Sequence, residues 1–179
     1  VIDRMYTARR KIVPSDARRG ILMQDKAVSE AERARLGSLA SYDILDSAPE
    51  PEYDHIVQRA AALCDCPIST VTLVDRDRQW FKASVGLDIK ETDRDIALCD
   101  HTIRGAGLLV IPDTTLDHRF ADNPVVTGPG GIRFYAGTPL LSSEQQVLGT
   151  LCVMDLQPRA LSAEEANYLA LLADQVMMH

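Results

Sequence analysis

The stretch Ser69-Thr-Val-Thr-Leu-Val-Asp75, Arg76-Asp-Arg78, Gln79-Trp-Phe-Lys-Ala-Ser-Val-Gly86 decides the fold. Its first part alternates and places Val71 and Leu73 on one face of an extended chain. Asp75 to Arg78 is a polar turn, and a second β pattern follows directly. Two extended segments joined this tightly form an antiparallel hairpin. Trp80 and Phe81 point to opposite faces, so one of them is outward or lies under a helix.

Before the hairpin the period is helical. Ser29 with Glu32 has the spacing of a capping box and opens a helix that runs to about Ser41. Ala31, Ala34 and Leu39 favour that helix, and Arg33 and Arg35 are expected outward. Pro51 suits the first turn of a second helix, in which Ile56, Ala60 and Leu63 recur at helical spacing. After the hairpin, Ala97 to Arg104 reads as a short helix and Leu108 to Ile111 as a short strand. Residues 114–130 read as loop and turn around Pro124, Gly128, Pro129 and Gly130. Ile132 to Leu141 and Val147 to Asp155 form a second strand pair. Ser162 with Glu165 caps a last helix, with Leu169, Leu172, Ala173 and Val176 on one face. The order predicts an α+β fold: a central, mostly antiparallel β-sheet of five to six strands with helices packed on it. Residues 1–28 read as a basic, poorly ordered extension and residues 29–179 as a single domain.

The 179 residues carry a formal charge of −7, which argues against a nucleic-acid partner or an anionic membrane surface. The charge is uneven: Arg4, Arg9, Arg10, Lys11, Arg18 and Arg19 cluster at the start of the chain. No apolar run reaches the ~20 residues that would span a bilayer. Cys64, Cys66, Cys99 and Cys152 lack the spacing of a secreted disulfide scaffold, so a reducing, cytoplasmic setting is expected. Cys64-Asp-Cys66 is too tight for a zinc pair and lacks a partner pair, so no metal or other cofactor is expected.

Six segments in order resemble bacterial GAF domains. They are Asp75 to Leu87, Leu98-Cys-Asp-His-Thr-Ile103, Val110-Ile-Pro-Asp113, Arg119-Phe-Ala-Asp-Asn-Pro124, Ile132 to Leu140 and Leu148 to Asp155. The resemblance spans roughly residues 36–177. It implies a regulatory module that senses a small molecule for a signal-transduction protein such as a histidine kinase or a diguanylate cyclase. It also implies a homodimer through the terminal helices and a downstream output domain. The cyclic-nucleotide-binding signature of the family is not found. Asp100 separates Cys99 from His101, unlike the Cys-His pair of bilin-binding members.

In this fold the ligand lies between the sheet and the segment joining the middle strands, which maps onto Ala97–Arg133. The candidate ligand-binding residues are Trp80, Cys99, His101, Asp113, Arg119, Asn123, Arg133 and Tyr135. Each has a structural alternative. Cys99 and His101 are two apart on a helix and do not face each other, which favours a buried thiol over a nucleophile pair. Arg133 can grip an anion or an aspartate, Asn123-Pro124 is turn chemistry, and Asp113 can cap the next turn. With no elbow motif and no carboxylate pair, the expectation is a sensing domain rather than an enzyme. The alternatives are a dimerisation module without ligand and a cysteine-dependent enzyme like free methionine sulfoxide reductases.

Overall fold

The computed structural model describes residues 28–105 and 107–179. The basic extension up to Ala27 lies outside the described residues. Helix α1 (Glu30–Ser41) begins where the Ser29 hydroxyl accepts the Glu32 N–H at 3.1 Å. Pro51 opens α2 (Pro51–Leu63), whose buried face is Tyr53, Ile56, Val57 and Ala60. The hairpin is β1 (Ile68–Val74) and β2 (Arg78–Val85), antiparallel, with Leu73 opposite Trp80. Gly86 leaves β2 at φ 78°, where a β-carbon would lie 2.2 Å from the Pro67 carbonyl oxygen. Only glycine fits so close an approach in that conformation.

The remaining elements are β3 (Glu91–Asp93), α3 (Leu98–Ile103), β4 (Leu109–Ile111), α4 (Pro124–Thr127), β5 (Phe134–Leu141), β6 (Val147–Asp155) and α5 (Ala163–Val176). One six-stranded sheet results, in the order β3-β2-β1-β6-β5-β4, with every neighbouring pair antiparallel. This is the expected α+β architecture. β3 and α4 are additions: three and four residues are too few to show a period.

β1 is buried along its whole length because the sheet is covered on both sides. On one side Val71, Leu73, Trp80, Phe134 and Leu151 pack against Ile56 and Val57 of α2 and Leu169 and Leu172 of α5. On the other, Ile68, Val74, Tyr135 and Cys152 pack beneath Leu98, Cys99 and Ile103 of α3 and Phe120 and Val126 of the following segment.

One expectation changes. Arg35 is not outward but 5% exposed, because it turns inward to Glu32. Trp80 and Phe81 are both buried, and Trp80 lies under α2, one of the two placements expected. The α5 stripe Leu169, Leu172, Ala173 and Val176 is buried within this chain, against the sheet. No helix among the described residues is long and apolar enough to cross a membrane.

Candidate functional site

The face of the sheet beneath α3 has a polar centre. Thr70, Thr72, Thr150 and Cys152 project from β1 and β6 because β1 alternates threonine with apolar residues. The Thr72 and Thr150 hydroxyls meet at 2.9 Å, and Thr70 Oγ1 lies 3.0 Å from Cys152 Sγ. Tyr135 lies along the sheet with its hydroxyl 2.7 Å from Thr102 Oγ1, and it donates to Cys99 Sγ at 3.4 Å. Gly137 makes this possible: a β-carbon there would lie 2.1 Å from the Tyr135 hydroxyl. Every polar group in this layer has a partner, which a buried polar centre requires.

Ionisation is redistributed within the layer. Burial raises the Cys99 thiol, but hydrogen bonds from Cys152, Thr150, Thr72 and Tyr135 outweigh it and hold the group down to about 6. The hydrogen bond to Cys99, with burial, pushes Cys152 well above the ordinary thiol range. Burial likewise raises the Tyr135 phenol, and the Cys99 charge adds to it.

α3 also has a charged side. Arg94 donates to Asp100 of α3 and to Glu32 of α1, both at 2.6 Å, and to the carbonyl of Asp75 at 3.0 Å. Arg35 donates to both Glu32 oxygens at 2.8 Å. Arg104 reaches Asp100 at 2.7 Å. One ionic chain therefore runs from α3 through Arg94 into α1. The hydrogen bond to Arg35, and then that to Arg94, lower the Glu32 carboxyl to about 2 despite its burial. Glu32, Arg35, Arg94, Asp100 and Arg104 line a groove of about 1000 Å³.

The eight sequence-derived candidates do not converge on one cavity. None of them lines this groove. Trp80 belongs to the core on the opposite face of the sheet from Tyr135, so the two cannot share a pocket wall. Cys99 and Tyr135 are joined but buried. His101 is on the exposed side of α3, with its ring edge-on to Phe120 at 4.6 Å. Partial burial lowers its imidazole. Arg119 lies over the Phe120 ring at 5.0 Å and forks onto Asp117 at 2.9 and 2.6 Å. Asn123 caps α4 through the Val125 N–H and donates to the Ile96 carbonyl at 3.1 Å. Asp113 accepts from the Thr115 N–H and hydroxyl, a local turn. Arg133 donates to the carbonyls of Val126 and Ile132 and holds the loop onto β5. The structure thus brings together Cys99 with Tyr135, and sets His101 and Arg119 each against Phe120. It leaves Trp80, Asp113 and Arg133 in separate structural roles.

Sequence reasoning missed Thr102 and the Glu32–Arg94–Asp100 chain. The alternation of threonine in β1 was a legible signal for a polar layer. The ionic chain carried none, since Glu32 lies 62 residues from Arg94.

The GAF domain family model matches residues 48–179. The chain is 41% identical over 135 residues to the cyclic di-GMP phosphodiesterase PA2567 of Pseudomonas aeruginosa, covering 75% of this chain and 23% of that protein. It therefore spans less than a quarter of the length of this curated relative. Among solved structures it is similar to the GAF domain of an Acinetobacter phosphoenolpyruvate-protein phosphotransferase, with TM-score 0.61 and 20% identity over 84% of this chain and 92% of that one. It is also similar to a Neisseria meningitidis free methionine-R-sulfoxide reductase, with TM-score 0.55 and 19% identity over 85% and 90% of the two chains. At these identities the two solved structures speak for the fold alone. The expectation that enzymatic function can be set aside is overturned by the Pseudomonas relative, which is named as an enzyme.

Proposed function

The chain belongs to the GAF domain family, and from that membership we propose that it is the regulatory input region of an enzyme that degrades cyclic di-GMP. The observation that carries this reading is the 41% identity to the Pseudomonas phosphodiesterase. The aligned stretch is 23% of that protein, a proportion that suits an input region beside a separate catalytic one. This reading replaces the histidine kinase and diguanylate cyclase as the output.

α3 is the element a signal would move. A small molecule docked over His101 and Arg119 would press on Phe120 and on α3. The Asp100–Arg94–Glu32 chain would carry a shift of α3 into α1. Such a ligand regulates only if it binds one position of α3 more tightly than the other.

The test is a chimera in which the matching stretch of the Pseudomonas enzyme is replaced by this chain. Cyclic di-GMP hydrolysis should be retained in the chimera and changed several-fold when the stretch is deleted. Equal rates with and without the stretch would sink the proposal. Native mass spectrometry of the purified chain should reveal a retained small molecule, and His101→Ala or Arg119→Ala should release it.

A further inference from the structure

Cys99 and Cys152 place their sulfur atoms 3.9 Å apart, one on a short helix and the other on a central strand of the sheet. A disulfide needs the sulfurs at about 2.05 Å, so closure asks for roughly 2 Å of travel. Rotation of two side chains and a small approach of α3 supply that. The setting favours reaction at Cys99. Tyr135 donates to its sulfur at 3.4 Å, and the Cys152 sulfur lies within reach of the same atom. Both residues are buried, at 2% and 0% exposure, so a reagent must enter when α3 opens. α3 has six residues and no side-chain cap at its start. Such an element opens at lower cost than the sheet beneath it.

We propose that Cys99 and Cys152 form a reversible disulfide when the protein meets a hydroperoxide. The Cys99 thiolate attacks one oxygen of hydrogen peroxide, the O–O bond breaks, and the departing hydroxide takes a proton to become water. Cys99 is then a sulfenic acid. The Cys152 sulfur attacks the Cys99 sulfur, the S–O bond breaks, and the hydroxide leaves with the Cys152 proton as a second water. Two thiols and one peroxide give one disulfide and two waters, with two electrons passing from sulfur to oxygen. The disulfide draws α3 towards β6, which takes the sulfur away from the Tyr135 hydroxyl and pulls Asp100 against Arg94. That the disulfide acts as a signal rests on the regulatory reading above. Its formation does not.

The chain carrying Cys64→Ser and Cys66→Ser, which leaves this pair alone, is treated with hydrogen peroxide under native conditions. Intact mass should fall by two hydrogens, and digestion should yield one peptide linking Cys99 to Cys152. Dithiothreitol should restore the starting mass. Peptide mapping of the unsubstituted chain gives the same readout if the serine variant does not fold. Addition of oxygen to Cys99 without the cross-link, or unreacted thiols where a urea-unfolded control reacts, would overturn the pair. Hydrolysis by the chimera, measured before and after peroxide, reads the signal separately. A cross-link that leaves the rate unchanged removes the regulatory role and not the disulfide.

Discussion

The Tyr135 hydroxyl occupies the space above Gly137, 2.1 Å from where a β-carbon would stand. The two residues sit on the same face of β5, two positions apart, and the missing side chain of one is the seat of the other. Gly137→Ala should therefore evict the phenol from Thr102 and Cys99. A β-strand glycine replaced by alanine normally gains β propensity, but overpacking in a filled core costs about 1–3 kcal/mol and should win. The urea midpoint should fall, with the slope unchanged. Tyr135→Phe removes only the hydroxyl and should cost about 1 kcal/mol.

Acid should weaken the joint between α1 and α3. The folded Glu32 carboxyl lies at about 2, below its ordinary 4.5. A depressed carboxylate contributes stability above its unfolded value and loses it as pH falls through the folded one. The contribution is full above about 4.5 and gone below about 2. In Glu32→Gln the loss of unfolding free energy between pH 6 and pH 2.5 should be smaller than in the unsubstituted chain. An identical pH profile for the two proteins would refute the assignment.

The fold was legible because its elements announce themselves locally. The hairpin alternates, Pro51 opens a helix, and Ser162 and Glu165 form a real capping box in which each side chain meets the other's backbone N–H. The candidate site was legible only in part. Cys99 and Tyr135 stand out in the sequence, but as ligand-binding candidates and not as parts of a closed polar layer. That Trp80 and Tyr135 fall on opposite faces of the sheet is not legible, because alternation assigns a side chain to a face without saying which helices cover that face, and a register shift interrupts the β1–β2 pairing between Val71 and Thr72. Arg35 was misplaced because an arginine at a helix surface position gives no sign of a partner such as Val147, whose carbonyl it approaches at 3.5 Å from over a hundred residues away.

Among the described residues, Lys82 should prove more costly to replace than the exposed Lys90. Its side chain is fully buried, and its ammonium donates to the Ser47 hydroxyl at 2.6 Å, the Ala48 carbonyl at 2.8 Å and the Glu50 carboxylate. These bonds tie the segment between α1 and α2 to the hairpin. Lys82→Met leaves the Ala48 carbonyl without its donor, while Glu50, half exposed, regains water. The expected cost is about 1–3 kcal/mol, from the loss of the charge-assisted hydrogen bonds that the buried ammonium makes. Glu50→Gln keeps an acceptor in place and should cost less. Thermal denaturation of both variants checks the order, and a larger effect of Glu50→Gln would refute it.

The two faces of α5 should separate folding from assembly. Leu169 is fully buried against the sheet, whereas Leu171 is 67% exposed. Leu169→Ala opens a cavity and should cost about 2–5 kcal/mol. Leu171→Glu touches no core and should change stability by no more than about 0.5 kcal/mol. If copies of this chain pair through their last helices, the contact must use the Leu171 face, because the other stripe is spent within the chain. Sedimentation should then show Leu171→Glu as a folded monomer where the unsubstituted chain is a dimer. A dimer that survives Leu171→Glu with its dissociation constant unchanged would move the interface off α5.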